Sequence, residues 1–276
     1  MALLLAPFLL AACSGLVSKA GSGLSASLSS GILDSDDPET VAAGLPAYLI
    51  LLDGLISSDP KNVDLLLGAS KLYAAYASGF VGEGERRVKL AVHAESYARR
   101  AVCARDAKLC AALDQPYDTF STEVARAKDI ALLHGLALAW AVAIQADSAN
   151  YDRIAALPNV QLLLSRATEL DPNYDHGSST MYLGVLDCLR PESFGGKPEH
   201  GKQQLERAFE ISGSKSLMPL VLEAQYCARL TFDQEAHDRL LKQALAADTR
   251  APGLTLGNVL AQRKARELLE SGKDYF

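Results

Sequence analysis

Cysteine and histidine are the side chains best placed to do chemistry in this 276-residue chain, which holds five of each. Cys13 closes a short apolar run, residues 1–12, and directly follows Leu10-Ala11-Ala12. Small residues at that place let an extended chain enter a peptidase, and the thiol can accept a diacylglycerol group before cleavage. A mature chain beginning at an acylated Cys13 would be held at a membrane without a spanning helix, because several acyl chains anchor stably. The apolar run itself is far below the ~20 residues needed to cross a bilayer.

Leu10-Ala11-Ala12-Cys13 resembles the lipobox of bacterial lipoprotein signal peptides, and the Ser/Gly-rich residues 14–30 read as the tether that would follow it. The sequence has no Lys or Arg ahead of the apolar run, a departure from the usual basic start of a signal peptide. Ser14 after the cysteine favours the outer membrane, and the compartment expected is a periplasmic, oxidising one. Cys103, Cys110, Cys188 and Cys227 remain. Cys103 and Cys110 are too far apart to bridge on one continuous helix, but a break at Arg105-Asp106 would let them meet. Cys188 and Cys227 could also be neighbours, and four buried thiols are the alternative. No C-x2-C spacing suggests zinc, so no metal and no cofactor is expected.

Catalytic motifs are lacking. There is no G-x-S-x-G, H-E-x-x-H or P-loop, and Glu199-His200 has no helical partner for a metal. A formal charge of −6 without any basic run argues against nucleic acid. Binding is the expected work of the chain.

The elements that must position these groups are helical. With 49% hydrophobic and only 7% aromatic residues, and no Val/Thr/Tyr alternation, the composition predicts an all-α protein. Helices are predicted at about residues 38–57, 62–78, 85–104, 122–147, 151–169, 174–189, 198–212, 216–230, 233–246 and 255–270. Short Asp-, Pro- and Gly-rich connections make consecutive helices antiparallel neighbours. Asp59-Pro60, Asp171-Pro172 and Asp248 fall at junctions resembling those of tetratricopeptide repeats (TPR). The expected architecture is therefore a TPR-like superhelical array of antiparallel helix pairs over residues 38–276, after a signal peptide (1–12) and a tether (13–37).

Such an array offers a concave groove. Trp140, which shares an apolar helix with His134, is a pocket candidate or a core residue. Tyr174, His176 and Tyr182 cluster where a helix begins with Ser178-Ser179, a terminus able to receive a ligand carboxylate or simply to be capped. Phe194 and Lys197 lie in an inserted loop that is a lip, a partner contact or a spacer. Tyr226 could face the same cavity.

Several segments together carry a family resemblance: Asp37-Pro38-Glu39-Thr40-Val41, Pro46-Ala47-Tyr48-Leu49, Cys103-Ala104-Arg105-Asp106, Tyr182-Leu183-Gly184-Val185-Leu186, Phe194-Gly195-Gly196-Lys197-Pro198-Glu199, His237-Asp238-Arg239-Leu240-Leu241 and Asn258-Val259-Leu260-Ala261. In this order, from Asp36 to Leu269, the chain resembles the TatT family of lipoproteins associated with tripartite ATP-independent periplasmic (TRAP) transporters. The resemblance implies a TPR-like fold, a homo-oligomer (a trimer is expected) and partnership with a periplasmic solute-binding protein. It also implies ligands that are organic acids or related amphipathic molecules. A TPR scaffold that organises envelope protein assembly is the competing expectation.

Overall fold

The computed structural model describes residues 30–276. Cys13, the apolar run and most of the tether lie outside the described residues. The protein is all-α, and no strand occurs among the described residues.

Its first half is built by capped helices at the expected places. The Asp37 carboxylate accepts hydrogen bonds from the backbone of Glu39 and Thr40, starting α1 (Pro38–Ser58). Asn62 caps α2 (Val63–Gly79) in the same way, after the Asp59-Pro60 break. Side-chain acceptors here replace the carbonyls that the first turn lacks. α2 packs on α1 and on α3 (Glu85–Arg105). Asp106 ends α3 and at once caps α4 (Ala107–Ala112). That turn brings the Cα atoms of Cys103 and Cys110 to 4.6 Å, and the two form a disulfide.

Two long helices expected from the sequence are each divided. In place of one helix over 122–147 there are α5 (Tyr117–Arg126) and α6 (Ile130–Ala146). Asp129 caps α6 through Leu132, while Arg166 donates to the Ala127 carbonyl from across the fold. The helix over 151–169 is likewise α7 (Tyr151–Ile154) and α8 (Leu157–Leu170), with Pro158 in the first turn of the second.

The second half holds α9 (Ser178–Asp187), α10 (Pro198–Ile211), α11 (Met218–Leu222), α12 (Gln234–Ala246) and α13 (Thr255–Tyr275). α11 runs directly into a π-helical segment, Glu223–Ala228. Cys227 on that segment is disulfide-bonded to Cys188 at the end of α9.

One large core joins α1 to α8, and smaller cores fill the second half. α13 ties the halves together. Leu256 and Leu260 reach the first core, while Ala261, Ala265 and Leu268 belong to the second. Arg263 pairs with Glu39, and the Gly253 amide donates to Asp34. Beneath them Asn258 is buried with both ends of its amide used: it accepts from Leu217 and donates to the carbonyls of Lys215 and Thr249. A buried amide satisfied from two other segments fixes their register against α13.

α1 is long and apolar enough to cross a bilayer by length and composition. One face of it, through Val41, Leu45, Leu49, Leu52 and Ile56, is nevertheless buried in the first core.

Candidate functional site

The junction between the two halves is polar, and the chain enters it in a strained conformation. Asp175, His176 and Gly177 take φ of 48°, 57° and 78° in succession, within a 3-10 turn that precedes α9. L-residues visit this left-handed region as single residues, at a cost of roughly 1–2 kcal/mol each. Something must hold the turn.

His134 and Lys71 hold it. Lys71 Nζ lies 3.1 Å from Asp175 Oδ1, and His134 Nε2 lies 3.4 Å from Oδ2. Ser178 Oγ donates to the same Oδ2, and the other ring nitrogen of His134 meets Ser179 Oγ at 2.8 Å. His134 Nε2 also meets Ser178 Oγ at 3.1 Å, so Ser178 bridges the ring and the carboxylate. The imidazole also stands edge-on to Tyr174. Hydrogen bonding from His134, then the Lys71 charge, hold the Asp175 carboxyl well below the usual carboxylate range. Serine, histidine and aspartate thus meet here, with Ser179 buried and Ser178 half-buried.

The sign of the pH effect follows. A carboxyl whose pKa is depressed in the fold adds stability above its unfolded pKa, and that stability is lost as the pH falls through the folded value. Asp175→Asn keeps a residue that tolerates the left-handed region but discards the charge. Denaturant titration at neutral pH is expected to show a loss of about 2 kcal/mol. The gap to the parent should close as the pH drops below the carboxylate range.

From this network a seam of hydroxyls and amides leads to the other half. Tyr182 stands one turn into α9 and touches both the first core and the core around Cys188. Burial pushes its phenol up to about 12, with the nearby Asp175 and Tyr226 adding to the rise. It still keeps partial contact with solvent. Burial likewise raises Tyr226, on the π-helical segment, where the Gln145 amide and the Arg87 charge oppose the rise. Arg87 donates to Gln145 at 3.2 Å. Its Nε is buried without a hydrogen-bond partner, and no carboxylate among the described residues pairs with it.

A second feature opens beside it. The loop between α9 and α10 is tied down by the Lys197 amide donating to the Asp187 carbonyl and by the Gly196 amide donating to Pro191. Gly195 and Gly196 are required there: Gly195 has φ 77°, and a Cβ on Gly196 would collide with the Arg190 carbonyl. The tip of this braced loop, Phe194, is 73% exposed. At its base Glu192, Gly196, Lys197, Glu199 and His200 line an open cleft of about 470 Å³, with His200 held 2.6 Å from the buried Asp187.

The sequence profile of the family described as TRAP transporter T-component matches residues 34–276. The chain belongs to that family. The chain is thus an accessory component of a TRAP transporter, with a periplasmic or membrane-associated location, and its family is not one of enzymes. It is also similar to an uncharacterized protein of Treponema pallidum (strain Nichols), with 25% identity across 88% of this chain and 81% of that protein.

In the T-component the residues singled out from the sequence fall into three places. Tyr174, Tyr182 and Tyr226 join the seam, and His176 lies beside Gly253 at the closure of the chain. Phe194 and Lys197 belong to the cleft loop. Trp140 is in the core, edge-on to Phe120 and beneath the Arg99 guanidinium. The position suggested for a ligand carboxylate at the start of α9 is beside the chain's own Asp175. Lys71, Arg87, Gln145 and Asp187 escaped the sequence reading. His134, inside the largely apolar α6, was a signal that a polar partner waited opposite.

Proposed function

We propose that the T-component is a lipid-anchored docking subunit of a TRAP-type uptake system, engaging a periplasmic solute-binding protein and receiving a small organic-acid or hydrophobic ligand in the seam of Arg87, Tyr182 and Tyr226. The helical array acts as a TPR-like scaffold for both, and Cys13 positions it at the membrane face, by the lipobox reading at the outer membrane. The observation that carries the docking role is the loop over residues 190–197. It is braced by backbone hydrogen bonds yet turns a bare aromatic outward next to Lys197. A rigid exposed aromatic beside a cation has the make-up of an interface hot spot, because little ordering entropy remains to be lost on binding.

Capture from periplasm tests this. The chain should retain the cognate solute-binding protein, and the Phe194→Ala, Lys197→Glu pair should weaken retention by about tenfold or more. Recovery of only envelope-assembly proteins would overturn the docking role in favour of a general scaffold.

A further inference from the structure

The two disulfides sit in unlike settings. Cys188 and Cys227 are 2% and 0% exposed, sealed between α9 and the π-helical segment, and they lie 39 residues apart in the chain. Cys103 is exposed and Cys110 half-buried, and they lie only 7 residues apart. In the chain-entropy account a crosslink stabilises by restricting the unfolded chain, and more so when it closes a longer loop. The short bridge has the less to contribute.

The corner that Cys103 and Cys110 span is also held without them. The Asp106 carboxylate accepts from the Lys108 and Leu109 amides. Leu109, Ala112 and Leu113 are buried in the first core, and Arg99 pairs with Asp114 at 2.9 Å just beyond α4. Cap and packing therefore keep α4 in place whether or not the sulfurs are joined. Within the bridged loop two exposed cations, Arg105 and Lys108, stand against one acid, Asp106, and Asp129 meets Arg105 only at 3.9 Å. Positive charge near sulfur favours both an incoming thiolate and the one that leaves.

We infer that Cys103–Cys110 is a thiol-exchange site that accepts electrons from a dithiol, while Cys188–Cys227 is a permanent brace. The thiolate of the dithiol attacks the exposed sulfur of Cys103. The bond to Cys110 breaks, and Cys110 leaves as a thiolate that takes a proton from water. The second thiol of the dithiol, having lost its proton, then attacks the dithiol's own sulfur in the mixed disulfide. Cys103 is released and protonated, and the dithiol departs as a disulfide. Two electrons have passed to the chain, which is reduced as the dithiol is oxidised. Arg87, sixteen residues back along α3, is roughly 24 Å away, so exchange at the corner leaves the seam undisturbed. The inference stands independently of the docking role proposed above.

The test uses a Cys13→Ser chain treated in its native state with dithiothreitol at neutral pH, then alkylated and mapped by peptide mass. Cys103 and Cys110 should be labelled at least about a hundredfold faster than Cys188 and Cys227, whose reduction must await local unfolding. Far-UV circular dichroism should not change as the first pair reacts. Labelling of all four should need denaturant. Single variants then show which sulfur is attacked. With oxidised glutathione, Cys110→Ser should form its mixed disulfide at least about tenfold faster than Cys103→Ser, because exchange follows access to the sulfur. Equal labelling of the two pairs, no labelling of Cys103 and Cys110 in the native chain, loss of helicity on their reduction, or equal rates for the two variants would each overturn the inference.

Discussion

Replacing Gly201 by alanine is expected to cost about 2–3 kcal/mol, the typical penalty for forcing an extra carbon into a closed contact. α9 and α10 cross with their backbones nearly touching. A Cβ on Gly201 would strike Cys188 Sγ and come within 2.7 Å of the Gly184 carbonyl, and a Cβ on Gly184 would come within 2.8 Å of the Gly201 carbonyl. Backbone cannot swing aside as a side-chain tip can. The melting midpoint should fall by roughly 5–10 °C. Gly257→Ala on α13 is the matched control, for nothing lies within 4 Å of its Cβ position, and it should gain about 0.5–1 kcal/mol. The crossing also supports function. Asp187 and His200 face each other across it, and Lys197 is tied to Asp187, so the alanine variant should hold the Phe194 loop less firmly.

Glu223→Gln is expected to act in the opposite direction, stabilising the chain by about 2 kcal/mol near pH 8, a figure reduced from the full pKa shift for residual solvent screening. Glu223 is buried at the start of the π-helical segment. Burial, with Glu206 nearby, pushes its carboxyl up from 4.5 to about 7, despite the opposing charges of Arg239 and Lys202. The folded chain therefore holds a proton that the unfolded chain has released between those two values. Stability falls as the pH rises through that window and is level above it. Glutamine imitates the protonated acid. Denaturation should show the variant and the parent nearly equal near pH 4.5, diverging by pH 8. An unchanged difference at both would mean that the carboxyl is not raised.

Local signals in the sequence were enough to locate most of the helices. Asp37 with Pro38, Asn62 after Asp59-Pro60, and Asp233 each start a helix by chemistry within four residues. The break at residues 127–129 contains neither Gly nor Pro. Its one local mark is Asp129, which caps α6, while the Ala127 carbonyl left at the break is taken by Arg166 from 39 residues away. The left-handed turn at Asp175 was hidden for the same reason, since Lys71 is 104 residues distant. Tyr174 and Tyr182 were legible as aromatic residues near a helix start, and Tyr226 only as a residue that could face the same cavity. Arg87 and Gln145 were not, because on their own helices they read as ordinary surface positions. α1 looked like one apolar helix, and only its packing separates a buried face from a bare one.

The account's central claim is that this T-component docks a solute-binding protein. Isothermal titration of the cognate TRAP solute-binding protein, loaded with its solute, into the purified chain measures it directly. The account predicts one partner per chain with a dissociation constant in the micromolar range, about −8 kcal/mol, weakened at least tenfold by Phe194→Ala with Lys197→Glu. No heat of binding at about 100 μM of either protein, a concentration far above such a constant, would contradict it.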